Sequence, residues 1–265
     1  MSIQLRGVHK GFGAKKILRG LDLDVDEGET MSLVGFSGAG KSLTLKHIVG
    51  LMKPDAGTVH VDGQEVPTLP REKLFKLRLD MGYVFQFAAL FDSMTIGANV
   101  AMGLRKKGGM TEKQIQDRVE ESLALVDLEG FSHRLPSQLS GGQQKRAGLA
   151  RAIAYRPKYL LYDEPTSGLD PVTTTVIDRL VLRMKKELGV TSLVITHDMK
   201  SAYTISDRIG MLYEGRLVEV GTPQEFQNTR NPIVRAFVEG EPGMRNDAEE
   251  LLPMGGSGSD QGRKP

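Results

Sequence analysis

The sequence predicts an α/β fold with a mainly parallel sheet, and three observations support this fold class. Short apolar segments of strand length alternate with segments of helical spacing over most of the chain, a pattern typical of parallel sheets whose strands are joined by helices. One apolar strand runs directly into a glycine-rich turn and then into a helix. Between about residues 92 and 157 the spacing is helical throughout, which indicates a helical subdomain inserted in the α/β core.

The first 60 residues are predicted to form short strands separated by turns. Leu21, Leu23 and Val25 alternate with aspartates, as expected of a strand with one buried and one exposed face. Thr30–Val34 is apolar enough to lie inside the sheet. The elements predicted next are a helix over residues 41–51, a strand over residues 58–61 and a buried strand over residues 81–85.

Within the inserted stretch, Thr111 and Gln114 have the spacing of a capping box, in which each side chain bonds the backbone N–H of the other residue at a helix start. The helix that this predicts has apolar residues at helical spacing, namely Ile115, Val119, Leu123 and Val126. A further helical segment is predicted over residues 144–154.

After residue 158, strands and helices alternate again. The predicted elements are a strand over residues 159–162, a helix over Pro171–Leu188, a strand over Thr191–Ile195, a helix from about Met199, and strands over residues 209–213 and 216–220. Glu214 and Gly215 are predicted to form the hairpin turn between the last two strands. Beyond Gly240 the chain is rich in glycine, proline, serine and charge, so a flexible tail is predicted over residues 241–265.

Composition limits the classes of function. The 265 residues carry 35 Lys and Arg against 33 Asp and Glu, a net charge of +2, which disfavours a protein that coats nucleic acid. Because there is no cysteine, disulfides, thiol catalysis and cysteine-bound zinc are excluded. No apolar run approaches the roughly 20 residues that span a bilayer, and the N-terminus lacks the pattern of a secretory signal. We therefore expect a soluble chain that reaches a membrane only by docking onto a partner.

The glycine-rich turn carries the pattern G-x-x-x-x-G-K-[ST] between an apolar strand and a helix. Glycines allow successive backbone N–H groups to turn toward a phosphate chain, and the helix directs its positive end to the same point. Lys41 is predicted to contact the β- and γ-phosphates, and Ser42 to place its hydroxyl on Mg²⁺. The predicted nucleotide-binding residues are Gly35, Ser37, Gly38, Ala39, Gly40, Lys41, Ser42 and Leu43.

Two adjacent carboxylates, Asp163 and Glu164, end the strand predicted over residues 159–162. Parallel strands present their carboxyl ends at one edge of the sheet, where α/β proteins bind ligands. Asp163 is predicted to coordinate Mg²⁺, directly or through water. Glu164, on the other side of the strand end, is predicted to act as the general base that polarises an attacking water.

A second glycine motif, Leu-Ser-Gly-Gly-Gln over residues 139–143, stands at the start of a helical segment of the insertion. Serine and glycine at a helix N-terminus again describe an anion site, which need not face its own chain's phosphate loop. With these motifs in this order, the sequence resembles the ATP-binding-cassette (ABC) ATPases over residues 1–240. The resemblance implies one domain with a P-loop NTPase core of the ABC type, an antiparallel β region, and the helical subdomain at about residues 92–157.

In the ABC family the signature loop acts in trans, because two subunits pack head to tail and each nucleotide lies between one phosphate loop and the other subunit's signature. The resemblance therefore implies a homodimer that binds ATP and Mg²⁺ and hydrolyses ATP. It assigns Phe12 to adenine, Ser140, Gly142 and Gln143 to the nucleotide held by the other copy, and Asp170 to the loop between the two sites. The implied catalytic residues are Lys41, Gln86, Glu164 and the switch histidine His197, and the implied Mg²⁺-site residues are Ser42, Gln86 and Asp163.

The segment that follows Gln86 narrows the resemblance to one group of transporters. Residues 86–96 resemble the ATPases of Mla-type transporters, which move phospholipid between the two membranes of Gram-negative bacteria. The chain departs from their usual pattern with Phe-Ala-Ala before Leu90, and with Met94 where they have leucine. The implied partners are an integral membrane permease, an MCE-type lipid-binding protein and a STAS-like regulatory subunit, and the implied location is peripheral, at the cytoplasmic face of the inner membrane.

Two other functions remain open on the sequence. The ATPase of a small-solute importer, for example one for polar amino acids, would share every predicted catalytic residue and differ in the segment after Gln86. A soluble ABC ATPase that acts on nucleic acid or ribosomes is disfavoured, and no nucleic-acid partner is expected. The chain has one cassette, no sustained heptads, no cysteine and a near-neutral charge.

Overall fold

The structure is a computed structural model that describes residues 2–240; the predicted tail, residues 241–265, lies outside the described residues. The strands are β1 (Ile3–Phe12), β2 (Lys15–Val25), β3 (Thr30–Val34), β4 (Ala56–Val61), β5 (Gln64–Glu65), β6 (Met81–Val84), β7 (Tyr159–Asp163), β8 (Thr191–Ile195), β9 (Arg208–Tyr213) and β10 (Arg216–Gly221). The helices are α1 (Lys41–Ile48), α2 (Arg71–Leu79), α3 (Ile96–Lys107), α4 (Glu112–Ala124), α5 (Gly141–Ile153), α6 (Pro171–Leu188), α7 (Met199–Ile205), α8 (Pro223–Gln227) and α9 (Pro232–Glu239).

Two sheets organise these elements. The larger sheet has the strand order β10-β9-β3-β8-β7-β6; its strands from β9 to β6 run parallel, and β10 pairs antiparallel with β9. The smaller sheet has the order β2-β1-β4-β5 and is antiparallel. The predicted fold class, a mainly parallel α/β core with an antiparallel β region, is confirmed.

The parallel sheet is covered on both faces, and β7 illustrates how. Because successive side chains of a strand point to opposite faces, Leu160 and Tyr162 pack in a cluster with α3 to α6. Tyr159 and Leu161 pack in a second cluster, with α1 and the antiparallel sheet. Burial on both faces explains why these strands are continuously apolar in the sequence. A third core cluster beside β3 and β9 consists of Val34, Ala202, Ile209, Met211, Phe226 and Val234.

The helical insertion consists of α3, α4 and α5, which pack against one another, and α5 also packs against β6. The predicted capping box at the start of α4 is confirmed, since Thr111 and Gln114 each bond the other's backbone N–H. Among residues 2–240, no helix combines the length and the apolar character needed to cross a membrane.

Several predicted bounds require correction. The helix predicted over residues 41–51 ends at Ile48, because Gly50 takes a left-handed conformation with φ of 67° and stops it. The strand predicted over residues 81–85 ends at Val84, and Phe85 stacks on Tyr83 outside the ladder. The helix predicted over residues 144–154 starts at Gly141, since Ser140 caps it. The strands predicted over residues 21–25, 58–61, 159–162, 209–213 and 216–220 are Lys15–Val25, Ala56–Val61, Tyr159–Asp163, Arg208–Tyr213 and Arg216–Gly221.

The helices α2, α8 and α9 were not predicted. In α2, Leu77 is the fully buried residue, so the apolar periodicity that predicts a helix is weak there. Local signals did precede the other two helices. Thr222 forms a capping box at the start of α8 and Asn231 caps α9, and each is followed by proline at the first helical position.

Candidate nucleotide-binding site

The phosphate loop joins β3 to α1, and its shape depends on two glycines. A Cβ atom at Gly35 would lie 2.2 Å from the carbonyl oxygen of Leu212, a distance that no side chain tolerates. Gly40, the residue that caps α1, has a φ of 107° and lies against Leu18, so a larger residue would be both strained and crowded. The backbone N–H of Ala39 donates to the carbonyl of Phe36 (3.2 Å) and closes the turn.

Lys41 is almost buried, with 8% of its surface exposed. Its Nζ donates to the carbonyl oxygens of Gly35 (2.7 Å) and Phe36 (3.1 Å), and it lies 3.8 Å from Oε1 of Glu164. Burial lowers the pKa of the Lys41 ammonium, and the carboxylates of Glu164 and Asp163 counteract this shift. The ammonium is therefore held at the loop by backbone oxygens and by a nearby negative charge.

Asp163, at the end of β7, joins two hydroxyl groups. The hydroxyl of Ser42 donates to Oδ1 (2.7 Å), and that of Tyr83 donates to Oδ2 (3.0 Å). Burial, followed by the charge of Asp163, raises the pKa of the Tyr83 phenol, so the phenol remains a donor. Sequence reasoning missed Tyr83, because its contact with Asp163 depends on β6 lying directly beside β7, and no local sequence signal shows that pairing.

The oxygens of Ser42 and Asp163 fit a magnesium ion. Hydroxyl and carboxylate oxygens are ligands that Mg²⁺ prefers, and Mg²⁺ usually takes its remaining ligands from substrate phosphates and water. Within residues 2–240 there is no group of three or more histidine or acidic side chains that would form an all-protein metal site. The two protein oxygens suit a metal that completes its coordination with nucleotide phosphates and water.

Glu164 follows β7 in a left-handed conformation with φ of 52°, which costs a residue with a side chain roughly 1–2 kcal/mol. Its backbone N–H donates to the carbonyl of Ile195 (2.9 Å), which ties it to the end of β8. Its Oε2 lies 2.7 Å from Nδ1 of His197. The Glu164 side chain is 13% exposed and that of His197 is 62% exposed. Glu164 therefore lies on the inner side of the site and His197 on its solvent-facing side.

These groups line one cavity of about 330 Å³ at the carboxyl ends of β3, β6, β7 and β8. Its lining residues are Ser37, Gly38, Gly40, Lys41, Ser42, Leu43, Gln86, Glu164 and His197. Nε2 of Gln86 lies 3.4 Å from Oγ of Ser167, beyond Glu164 in the chain. The structure thus brings six of the predicted nucleotide residues into one cavity with Gln86, Glu164 and His197. Gly35 and Ala39 belong to the same loop without lining the cavity, and Asp163 adjoins it through Ser42.

Five predicted nucleotide-site residues lie elsewhere. Ser140 and Gln143 cap α5, each side chain bonding the other's backbone N–H (3.3 and 2.9 Å). The carboxylate of Asp170 caps α6. None of the five, which are Phe12, Ser140, Gly142, Gln143 and Asp170, lines the cavity of its own chain. Phe12 is 53% exposed at the end of β1.

Lys145, a residue that sequence analysis did not single out, connects the signature helix to the segment that follows Glu164. Its Nζ donates to the carbonyl of Pro165 (3.0 Å) and to that of Ser167. The signature helix α5 is therefore attached to the segment that follows Glu164. The sequence signal that could have drawn attention to Lys145 is its position, two residues after the signature motif.

The segment after Gln86 is exposed and apolar but firmly held. Phe87 is 79% exposed and Phe91 is 52% exposed. The fully buried side chain of Asn99 accepts from the N–H of Phe91 (2.7 Å) and donates to the carbonyls of Phe91, Met94 and Thr95 (3.0–3.2 Å). The start of α3 thus fixes the backbone on which Phe91 is presented.

A larger groove of about 680 Å³ lies at the opposite edge of the sheet, near the start of β7 and β8. Its cations face acids, with Arg156 2.6 Å from Glu121 and Lys158 3.7 Å from Asp62. It lacks the glycine loop that makes a phosphate site, so the smaller cavity is the candidate site.

A glycine loop, a buried lysine and strand-end carboxylates at one edge of a parallel sheet form a site for a nucleoside triphosphate. The family described as ABC transporter matches residues 18–167. The chain belongs to the ABC transporter family. It is accordingly an ATPase, and ATP and Mg²⁺ are its ligands.

Relatives of known name cover most of the chain. It is 38% identical to the "probable ribonucleotide transport ATP-binding protein mkl" of Mycobacterium leprae, over 91% of this chain and 69% of the relative. It is 41% identical to the chloroplastic protein TRIGALACTOSYLDIACYLGLYCEROL 3 of Arabidopsis thaliana, over 90% and 73%. It is 44% identical to the methionine import ATP-binding protein MetN of Leifsonia xyli, over 89% and 70%.

Among solved structures, the chain is similar to the ATP-binding cassette MJ0796, a dimer in a post-hydrolysis state with ADP and Pi bound. The TM-score is 0.76 and the sequence identity 36%, with 83% of this chain and 98% of the cassette covered. The similarity supports dimer formation and agrees with the ABC ATPase fold.

Proposed function

We propose that the cavity binds ATP between the phosphate loop and the end of β7. The convergence of Lys41, Ser42, Asp163, Glu164 and His197 at one sheet edge carries this proposal. The loop N–H groups surround the phosphates, and the Lys41 ammonium, now on backbone carbonyls, exchanges them for the β- and γ-phosphates.

Ser42, Asp163 and Gln86 are the residues that would hold Mg²⁺. The two oxygens that are 2.7 Å apart, Ser42 Oγ and Asp163 Oδ1, support this assignment, and Gln86 borders the same cavity. When bound there, Mg²⁺ would neutralise negative charge on the phosphates.

Glu164 is the proposed general base. Its carboxylate accepts the proton of a water whose oxygen attacks the γ-phosphorus, while the bond from the γ-phosphorus to the oxygen of the leaving ADP breaks. His197 contacts that carboxylate through Nδ1 and, being largely exposed, can reach the γ-phosphate from the open side. The two adjacent carboxylates thus have different proposed roles: Asp163 would bind Mg²⁺, and Glu164 would accept the proton of the attacking water.

The signature residues are proposed to act on the nucleotide of a second copy. Ser140, Gly142 and Gln143 sit at the N-terminus of a 13-residue helix, a position that favours phosphate, yet they do not line the cavity of their own chain. Asp170, which caps α6, is proposed to lie between the two sites. ATP would therefore hold two copies together, and hydrolysis would release them.

Ser140→Arg tests the in-trans arrangement. We expect ATP hydrolysis to fall by about 100-fold or more, because the guanidinium obstructs the anion site that the signature offers to the other copy. ATP affinity of the isolated chain, measured by calorimetry, should stay within about threefold, since Ser140 does not line the cavity of its own chain. Gln116→Arg, which adds the same charge on the exposed face of α4, is the control and should leave hydrolysis unchanged. Loss of ATP binding by the monomer would contradict the arrangement.

We further propose that the ATPase powers phospholipid transport between the inner and outer membranes of a Gram-negative bacterium. The exposed side chains of Phe87 and of Phe91, whose backbone Asn99 holds, support docking to an integral membrane permease at the cytoplasmic face of the inner membrane. An MCE-type lipid-binding protein and a STAS-like regulatory subunit complete the proposed assembly. The relative from Arabidopsis thaliana bears the name of a glycolipid, which supports a lipid cargo.

Gentle purification of the tagged chain from native membranes, with mass spectrometry of the bound proteins and lipids, tests the cargo. We expect a permease, an MCE-type protein and enriched phospholipid. A chain whose Phe91 is replaced by Asp should lose all three while it keeps ATP binding, because Phe91 lies outside the nucleotide cavity. Recovery with ribosomes or DNA, and without a membrane partner, would refute the transport proposal and leave the ATPase standing.

Import of a polar amino acid is the second candidate, favoured by the 44% identity to the methionine import ATP-binding protein MetN of Leifsonia xyli. In the same purification, a permease that arrives with a solute receptor and without enriched lipid would support this candidate over phospholipid transport.

A further inference from the structure

The phosphate loop carries an aromatic side chain at a position that its motif leaves open. The ring of Phe36 packs edge-to-face against that of Phe237 in α9, with centroids 5.0 Å apart and an interplanar angle of 85°. It also meets Tyr213 at the end of β9, at 6.1 Å and 68°. Aromatic rings favour this edge-to-face geometry beyond simple burial. The last described helix of the chain is thus in direct contact with the loop.

The backbone of Phe36 defines the inner surface of that loop. Its carbonyl accepts from Nζ of Lys41 (3.1 Å) and from the N–H of Ala39 (3.2 Å). Rotation of this peptide would therefore displace the resting position of the lysine and open the turn. The ring pair with Phe237 restrains the same residue from the outside.

The third core cluster, against which Phe36 and Phe237 pack, also includes residues next to the phosphate loop and next to His197. Val34, immediately before the loop, and Val234 of α9 are fully buried in the third core cluster. Met199 packs against the same cluster, and it opens α7 two residues after His197. The segment that bears α9 is therefore packed against β3 and the loop, which precede Lys41, and against α7, which begins two residues after His197.

We propose that Phe237 is a positioning residue for nucleotide binding: through its ring contact with Phe36, α9 holds the phosphate loop in the shape that receives the phosphates. The proposal rests on the nucleotide site assigned above. Phe237 touches no reacting atom, and its effect falls on affinity for ATP, because the loop binds phosphates in the ground state as well as during hydrolysis.

The test measures ATP affinity by calorimetry in the presence of Mg²⁺, together with KM and kcat for hydrolysis, on the full chain. Phe237→Ala is expected to weaken ATP binding and raise KM by about threefold to tenfold, the range that an edge-to-face pair supplies, with kcat changed by less than about twofold. Phe237→Tyr keeps the ring and should restore KM. In a double-mutant cycle with Phe36→Ala, the double variant should bind ATP about as well as Phe36→Ala alone.

Phe226→Leu is the control, because Phe226 is buried in the same cluster (1% exposed). Phe226 is not one of the ring partners of Phe36, which within residues 2–240 are Tyr213 and Phe237. It should lower the melting temperature and leave KM unchanged. The inference is overturned by an unchanged KM in Phe237→Ala, by an equal rise in Phe226→Leu, or by additive effects in the cycle. Lys41→Ala distinguishes failure of this inference from failure of the proposed nucleotide site. If Lys41→Ala also leaves ATP affinity unchanged, the assignment of the nucleotide site is wrong.

Discussion

Glu164→Gln is expected to reduce ATP hydrolysis by about 100-fold or more, the usual contribution of a general base, while ATP binding persists. The amide has the size of the carboxylate and can still meet His197 Nδ1, which lies 2.7 Å from the Glu164 carboxylate. It cannot accept a proton from the attacking water. The substitution also removes the negative charge of Glu164, which lies 3.8 Å from Lys41 and repels the phosphates. The affinity for ATP should therefore not fall.

The measurement compares steady-state phosphate release with ATP affinity in the wild-type chain and in Glu164→Gln. Glu112→Gln, at an exposed ion pair with Arg105, removes the same charge outside the cavity and should behave as wild type. Substantial hydrolysis by Glu164→Gln would show that another group takes the proton. His197, the other titratable group on the open side of the cavity, would be the first to test.

Lys41→Ala is expected to weaken ATP binding by about 100-fold or more, since each hydrogen bond from a charged donor contributes roughly 1.5–3 kcal/mol and two phosphates lose theirs. Lys41 is 8% exposed and held by the Gly35 and Phe36 carbonyls. Alanine leaves these carbonyls facing the phosphates without a cation between them, which adds repulsion to the lost attraction.

Calorimetric titration with ATP and Mg²⁺ tests this expectation, and Lys46→Ala supplies the control. Lys46 lies on the exposed side of the same helix, α1, and its removal should leave affinity within about twofold. An affinity for ATP that is unchanged in Lys41→Ala would contradict the assignment of the phosphate loop. The thermal midpoint of the variant should be recorded as well, because the buried carbonyls also lose their donor.

Much of the α/β core could be predicted because each element satisfies one local rule. The bounds of β3, α6 and β8 agree with the sequence prediction. Buried parallel strands are continuous apolar runs, and α6 has Asp170 as its N-cap, proline at its first position and Gly189 as its C-cap. The strand β1 is different. Its register shifts near Gly7 and Gly11 interrupt the alternation of side chains, so its pairing with β2 and β4 depends on tertiary contacts.

The site shows the same division. Sequence analysis could find the residues that belong to a motif or follow a strand end, namely Lys41, Ser42, Asp163 and Glu164. Tyr83 could not, because its role follows from the lateral neighbour of its strand, and strand order is not local information. The partner of Phe36, which is 201 positions away at Phe237, likewise became visible only in three dimensions.

The buried amide of Asn99 has a consequence for assembly. Its four hydrogen bonds to the backbone between Phe91 and Thr95 fix that stretch when the ATPase folds. Ordering a flexible segment costs roughly 1–2 kcal/mol of conformational entropy per residue, and here that cost falls on folding and not on association. The surface that carries Phe91 can therefore engage a partner nearly as a rigid body, so that the free energy of burying its ring appears directly as affinity.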